Sequence, residues 1–410
     1  MELGVGYKKA NSGLIPQAWI EFIVSNLIDF EGGSQPEKSV FSPVQKSGYI
    51  RLIQIRDYKT DKYETYIPEN LARRFCNDDD IMIGRYGPPI FQILRGISGA
   101  YNVALIKAKP NQQIVKNYAY YFLTQEKLFN FIEKLSQRSS GQTGVDLKGL
   151  REYPLPLPPT RMEQEAIAEA LSDADALIGS LEQLIHKKRQ IKQGTMQELL
   201  TGKKRLPGFS EEWQVKTWGD VILSCSSGAT PYRGRPEFYN GSIKWITSGE
   251  LNYCVINDTI EHISKDAVER TNLKVHPVGT FLMAITGLEA AGTRGSCGIV
   301  GSPAATNQSC MAIYPSSELL TEYLYHYYVK FGDELALKYC QGTKQQSYTA
   351  QLIRILPITL PPTTEEQKAI SDLLSDLDTE LTTLEIKLTK ARQIKQGMMQ
   401  ELLTGKIRLV

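Results

Sequence analysis

The sequence predicts two α/β (α+β) globular domains joined by two long α-helices that pair as an antiparallel coiled coil, with a pseudo-two-fold internal repeat. Three observations carry this expectation. Residues 158–206 align without a gap to residues 361–409 at an offset of 203. Both segments keep a 4-3 apolar spacing typical of a coiled-coil seam. Both are acidic at the start and basic at the end. The expected organisation is globular at 1–157, helical at 158–206, globular at 207–360 and helical at 361–410.

The shared blocks of the repeat are LSD, RQIKQG and MQELLTGK, and self-similarity of this length marks a duplicated architecture. Weaker matches follow in the same order through the globular parts. Gly33-Ser34-Gln35-Pro36 matches Gly228-Ala229-Thr230-Pro231, and Asp80-Ile81-Met82-Ile83-Gly84 resembles Thr280-Phe281-Leu282-Met283-Ala284. Asn102 and Asn307 each precede a proline, Pro110 or Pro315, by eight residues, and Tyr118–Tyr121 mirrors Tyr323–His326.

Each helix is announced by a proline pair, Pro158-Pro159 or Pro361-Pro362, which ends the preceding chain direction. Thr160 with Glu163, and Thr363 with Glu366, have capping-box spacing. The seam then reads Ile167, Leu171, Ala174, Ile178, Leu181 and Ile185 in the first helix. In the second it reads Ile370, Leu374, Leu377, Leu381, Leu384, Leu388 and Ala391. Lys192 and Lys395 fall where an apolar residue is due, so a stutter or local unwinding is expected near Gly194 and Gly397. Gly202 and Gly405 have the position of helix-ending glycines.

Charge sets the orientation. Residues 163–178 carry five acidic groups and no basic one, while 181–206 carry seven Lys/Arg against Glu182 and Glu198. Residues 365–380 carry six acidic groups and one basic, and 381–409 carry six basic and two acidic. An antiparallel pair sets each acidic half beside a basic half, and the same polarity suits each helix dipole.

Composition narrows the class. A 410-residue chain with 22% charged and 41% apolar residues is ordinary for a globular protein. A net charge of +2 announces no global polyanion affinity, so any basic surface must be local. The six cysteines are scattered without a CxxC pair, which argues against a disulfide framework or zinc site and fits a reducing cytosol. With no signal-like start and no apolar run of spanning length, a cytoplasmic protein without a membrane partner is expected.

At this point the sequence resembles the specificity subunits of type I restriction enzymes. The resemblance rests on LPPTRMEQEAIAEAL, RQIKQGTMQELLTGK and their second copies. Trp218-Gly219-Asp220-Val221 through Ser227-Gly228-Ala229-Thr230-Pro231, with Trp245-Ile246-Thr247-Ser248-Gly249-Glu250-Leu251, is similar to the opening of that family's target recognition domains. The first domain departs from the pattern at Glu31–Pro36 and Leu52–Asp57. The resemblance implies that each domain reads one half of a bipartite, asymmetric site in double-stranded DNA. The helices would set the spacer and dock two modification subunits, which carry S-adenosylmethionine and methylate adenine. Restriction subunits, using ATP and Mg, would complete the complex, and this chain would bind no cofactor or metal of its own. About 38 helical residues would make a rod of about 57 Å at about 1.5 Å per residue. That exceeds the roughly 34–36 Å between sites one DNA turn apart.

Base readout needs forked donors and acceptors, and phosphate contact needs cations, amides and hydroxyls. Polar, glycine-bearing loops that mix these supply the candidates. In the first domain they are Arg85, Tyr86, Ser98, Tyr101, Asn102, Arg138, Gln142 and Thr143. In the second they are Tyr232, Arg233, Arg235, Arg294, Asn307, Gln308, Lys344, Gln345 and Gln346. Asn102 and Asn307 are equally placed to cap turns, and the tyrosine runs have the spacing of core packing.

No catalytic signature accompanies them. Gly87-Pro88-Pro89-Ile90 is not an N/D-P-P-Y/F methyltransferase motif, and Gly202-Lys203 and Gly405-Lys406 have Gln197 and Gln400 where a Walker loop needs glycine. The four histidines have no metal-ligand spacing. The expected role is therefore a non-catalytic, DNA-reading one. The alternatives are the recognition subunit of a type II system with a fused nuclease-methyltransferase, and a coiled-coil scaffold that binds no DNA.

Overall fold

The computed structural model describes residues 6–136, 144–288, 292–340 and 347–409. The chain divides into two compact units, Met1–Glu182 with Lys387–Val410, and Gln183–Ile386. Two helices of 39 residues run through this division: α1, Arg161–Leu199, and α2, Thr364–Leu402. Each unit thus takes the first half of one long helix and the second half of the other.

In unit 1 the strand Ile28–Gly32 starts an antiparallel sheet that continues through Leu105–Pro110, Ile81–Gly84 and Gln92–Leu94. A second sheet pairs Tyr49–Ile53 in parallel with Gly99–Tyr101. Pro154–Leu157 pairs with Ile20–Ile23 and stops just before the Pro158-Pro159 pair. Unit 2 repeats the plan. Ile222–Ser227, Cys310–Pro315, Phe281–Ala284, Cys297–Val300 and Cys254–Ile256 make one sheet, and Ile243–Ile246 pairs in parallel with Ala304–Thr306 in another. Pro357–Leu360 pairs with Gln214–Thr217 and stops at Pro361.

The tyrosine runs are core, as their spacing implies. Tyr118 is buried and donates to the Pro156 carbonyl at 3.1 Å; Tyr323 is buried and donates to the Thr359 carbonyl at 2.9 Å. Each hydroxyl thereby finds the acceptor that a buried phenol needs.

The long helices pair antiparallel within each unit. In unit 1 Ile167 and Leu171 of α1 share a core with Leu402 and Leu403. In unit 2 Ile370 and Leu374 of α2 share a core with Met196, Leu199 and Leu200. Burying such leucines contributes about 2–5 kcal/mol each, judged by truncation to alanine. The remaining seam positions, from Ala174, Ile178, Leu181 and Ile185 to Leu377, Leu381, Leu384, Leu388 and Ala391, are buried or half-buried.

Both helices run unbroken through Gly194 and Gly397, so the local unwinding expected there does not occur. The lysines that break the apolar spacing are neutralised instead. Lys192 pairs with Asp378, and Lys395 pairs with Asp175. A cation in a seam is tolerated when a carboxylate meets it. Gly202 and Gly405 adopt φ +69° and +73°, the left-handed conformation that ends a helix.

The capping boxes are half formed. Thr160 and Thr363 accept from the backbone N–H of Glu163 and Glu366 at 3.2 and 3.4 Å. The glutamate side chains do not turn back to the caps. Glu163 takes Arg408 and the Trp19 indole, and Glu366 takes Arg205 and the Trp213 indole. A bidentate guanidinium outcompetes a single backbone donor.

Candidate nucleic-acid interface

The loops singled out for DNA contact sit on frameworks that the two halves build alike. Gly33 and Gly228 lie hard against the parallel strand pair. A β-carbon on Gly33 would fall 1.9 Å from the Asn102 carbonyl oxygen, and one on Gly228 would fall 1.9 Å from that of Thr306. Only glycine fits either place. This aligns Gly32–Pro36 with the second domain's Ser227–Pro231 despite their different sequences.

Asn102 and Asn307 play one structural part. Each accepts, through Oδ1, from a backbone N–H two residues on: Ala104 at 3.1 Å, Ser309 at 3.0 Å. Their own N–H groups donate to Ile53 and Ile246. Such an Asx turn fixes the strand exit. Asn102 is 8% exposed, and its Oδ1 is taken up by the turn. Tyr101 is fully buried, and its hydroxyl bonds Glu31 at 3.1 Å. Its place is the core; flanking glycine and serine made it look like a loop residue.

Other candidates do reach the surface. Ser98 is exposed, and Arg85 and Tyr86 are half-buried, with the Arg85 guanidinium 5.3 Å from the Tyr86 ring centre. The Arg85 carbonyl accepts from Val145, and Tyr86 bridges Gly144. In unit 2 the Ile285 carbonyl accepts from Tyr348 in the matching place. Arg138, Gln142, Thr143, Lys344, Gln345 and Gln346 lie outside the described residues.

In the second domain, Tyr232 is 72% exposed and Arg235 is exposed beside it. Gln308 is exposed and accepts from the Thr230 hydroxyl, so the 229–236 loop rests on the strand end that carries Asn307. Arg233 is paired on Glu261 through both terminal guanidinium nitrogens. Arg294 belongs to another neighbourhood. It donates to Asp333 of the helix Thr321–Tyr339 at 2.8 Å and to the Leu288 carbonyl at 3.4 Å, leaving its side chain 18% exposed.

Sequence reasoning missed the residues that mount the domains on the helices. Gln164 accepts from the Val115 N–H at 2.8 Å, and its amide donates to the Gln113 carbonyl. Gln367 does the same with the Leu320 N–H at 2.9 Å and the Glu318 carbonyl. Both glutamines are buried. The signal available was their identity at an offset of 203 on a face that the seam does not use.

Comparison with known proteins agrees with this architecture. The family model for the type I restriction modification DNA specificity domain matches twice, over residues 16–193 and 210–394. The type I restriction enzyme MjaVIII specificity subunit of Methanocaldococcus jannaschii is 25% identical over 98% of this chain and 96% of its own length. The EcoR124I/EcoR124II specificity subunit of Escherichia coli is 25% identical over 47% of this chain and 48% of its own. The crystal structure of a type I restriction-modification S subunit from M. genitalium shares the fold. Its TM-score is 0.64 at 15% identity, covering 96% of this chain and 97% of that one. With two copies of the domain spanning most of its length, the chain belongs to the type I restriction-modification DNA specificity family.

Proposed function

We propose that this chain is the sequence-reading subunit of a type I restriction-modification complex. Each globular domain, expected at 1–157 and 207–360, reads one half of a bipartite asymmetric site in duplex DNA. The paired helices set the unread spacer and dock two modification subunits. The chain itself performs no chemistry. Adenine methylation with S-adenosylmethionine belongs to the modification subunits, and ATP- and Mg-dependent cleavage belongs to the restriction subunits.

The observation that carries this reading is the double match to the DNA specificity domain on a chain whose two units repeat the same helix-mounted framework. Unlike exposed loops on like frameworks suit two different words. Tyr232, Arg235, Gln308, Ser98, Arg85 and Tyr86 are the residues best placed to contact DNA, since rigidly mounted loops carry recognition.

The test is to express the chain with the modification subunits in a host lacking restriction and sequence the methylome. A split word with a fixed gap is expected. Methylation without sequence preference, or a continuous word, would overturn the proposal.

A further inference from the structure

Arg233 has the sequence setting of a base reader, but its surroundings assign it another task. Its guanidinium closes a two-point pair on Glu261, one contact at 2.8 Å. The same group lies 4.3 Å from the Tyr239 ring centre and 5.2 Å from that of Trp245. Both rings in turn hold the loop that carries Arg233. The Tyr239 hydroxyl donates to the Pro231 carbonyl at 2.6 Å, and the Trp245 indole donates to the Ala229 carbonyl at 3.2 Å. Trp245 is buried in the core formed with Phe238 and Ile263, so the aromatic pair is anchored in the domain. The Arg235 N–H closes a turn on the Tyr232 carbonyl at 3.2 Å, and Arg235 makes no ion pair among the described residues.

We infer that Arg233 is a positioning residue: clamped between Glu261 and the edge-to-face Tyr239–Trp245 pair, it presents Tyr232 and Arg235 to DNA without touching DNA itself. Two physical points support this. The Glu261 carboxylate occupies the end-on face of the guanidinium, so an end-on bidentate grip on a phosphate or a guanine edge would mean giving up that pair. Releasing it would also leave the Glu261 carboxylate beside the polyanion, where it repels. Among the described residues the first domain shows no such clamp: the position matching Trp245 is Leu52, and Arg51 beside it pairs with Asp61 and Glu64. This inference rests on the proposed DNA-reading function.

The experiment uses the complete complex and duplexes carrying the split word that its wild-type form methylates. Salt dependence of binding and preference for the second half-word are measured for Arg233→Ala, Arg233→Lys, Glu261→Gln, the Arg233→Ala/Glu261→Gln double variant and Arg235→Ala. Expected for a clamp: Arg233→Ala, Arg233→Lys and Glu261→Gln each lose roughly tenfold in second-half preference, the double variant loses no more, and the log–log salt slope stays unchanged. Arg235→Ala should lower that slope by about one. Preference for the first half-word should persist throughout, which shows that the variants fold and assemble. Rescue by Arg233→Lys, or a slope lowered by about one in Arg233→Ala while Glu261→Gln binds as well or better, overturns the inference. A wild-type complex with no preference for any word removes the parent reading as well, a result distinct from the others.

Discussion

Arg408 lies across the carboxylate of Glu163, and Arg205, at the same offset of 203, lies across that of Glu366. Both carboxylates are buried, with 1% of each side chain exposed, and each also accepts from a tryptophan indole at 3.3 Å. The tail that follows each long helix is thereby fastened to the start of the other long helix within the same unit. Removing the glutamate charge leaves an arginine that is mostly shielded. Glu366→Gln should cost about 2–3 kcal/mol, less than a fully buried pair because Arg205 keeps some water contact. Thermal unfolding of the single variants and of Glu163→Gln would measure it; an unchanged midpoint would show that the pairs add nothing.

Charge exchange tests the seam. Lys192–Asp378 and Lys395–Asp175 are matching pairs, with lysines 20% and 22% exposed and aspartates 37% exposed. Lys395→Asp should destabilise by about 1 kcal/mol, since these pairs are partly solvated. Adding Asp175→Lys should restore most of the loss. Denaturant midpoints for the two singles and the double give the coupling, and additivity would mean that the charges do not interact.

Gly228→Ala should disable one half-word only. The added methyl meets the Thr306 carbonyl and forces the 229–236 loop off its strand, an overpacking cost of about 1–3 kcal/mol or more. Methylome sequencing should show the second half-word relaxed and the first retained. Gly33→Ala should do the converse. Loss of both words in either variant would point to general unfolding.

Stability should fall in mild acid. Burial, with Lys274 adding to it, lowers the pKa of His276 to about 4. Burial also takes His326 to about 4, Lys192 reinforcing and Asp378 opposing. Both pKa values are depressed on folding. The unfolded chain therefore binds protons that the folded one refuses once the pH drops below about 6.5. The stabilisation is whole above that point and drains away towards about pH 4. Urea midpoints at pH 7.5, 5.5 and 4.5 should decline in that order, less steeply in His276→Asn. A profile as steep as wild type in that variant would exclude His276 as a source.

Lengthening the helices tests the ruler. Seven residues inserted after Glu182 in α1 and after Ile386 in α2 leave every ion pair within a unit intact. The methylated word should keep both halves and gain a longer gap. A change in either half would refute the idea that helix length sets the spacer.

Most of the scaffold is legible in the sequence because its signals are local or repeat. Apolar spacing, acid-to-basic polarity and the glycine after ELLT each act within a few turns of helix. The partners of Glu163 and Glu366 are not legible, since Arg408 and Arg205 are far along the chain and the capping-box spacing offers a closer explanation. The loops are harder still. Arg233 beside Gly234 reads as a free surface cation until Glu261 folds against it. Tyr101 reads as a loop residue until strand pairing draws it inside. Exposure is decided by contacts between distant segments, which residue spacing does not encode.

The first unit is assembled from both ends of the sequence. Tyr7 donates to the Lys406 carbonyl at 3.1 Å, and Pro16 and Trp19 pack about Gly405. All of unit 2 is contained in 183–386, so during translation its residues leave the ribosome before those that complete unit 1. Domains that fold as they emerge usually finish in N-to-C order. Here the order is reversed for one step: the domain synthesised first stays unfinished, waiting for the second half of α2 to arrive. Premature termination in α2 beyond Ile386 would therefore spare the later-made unit more than the earlier one.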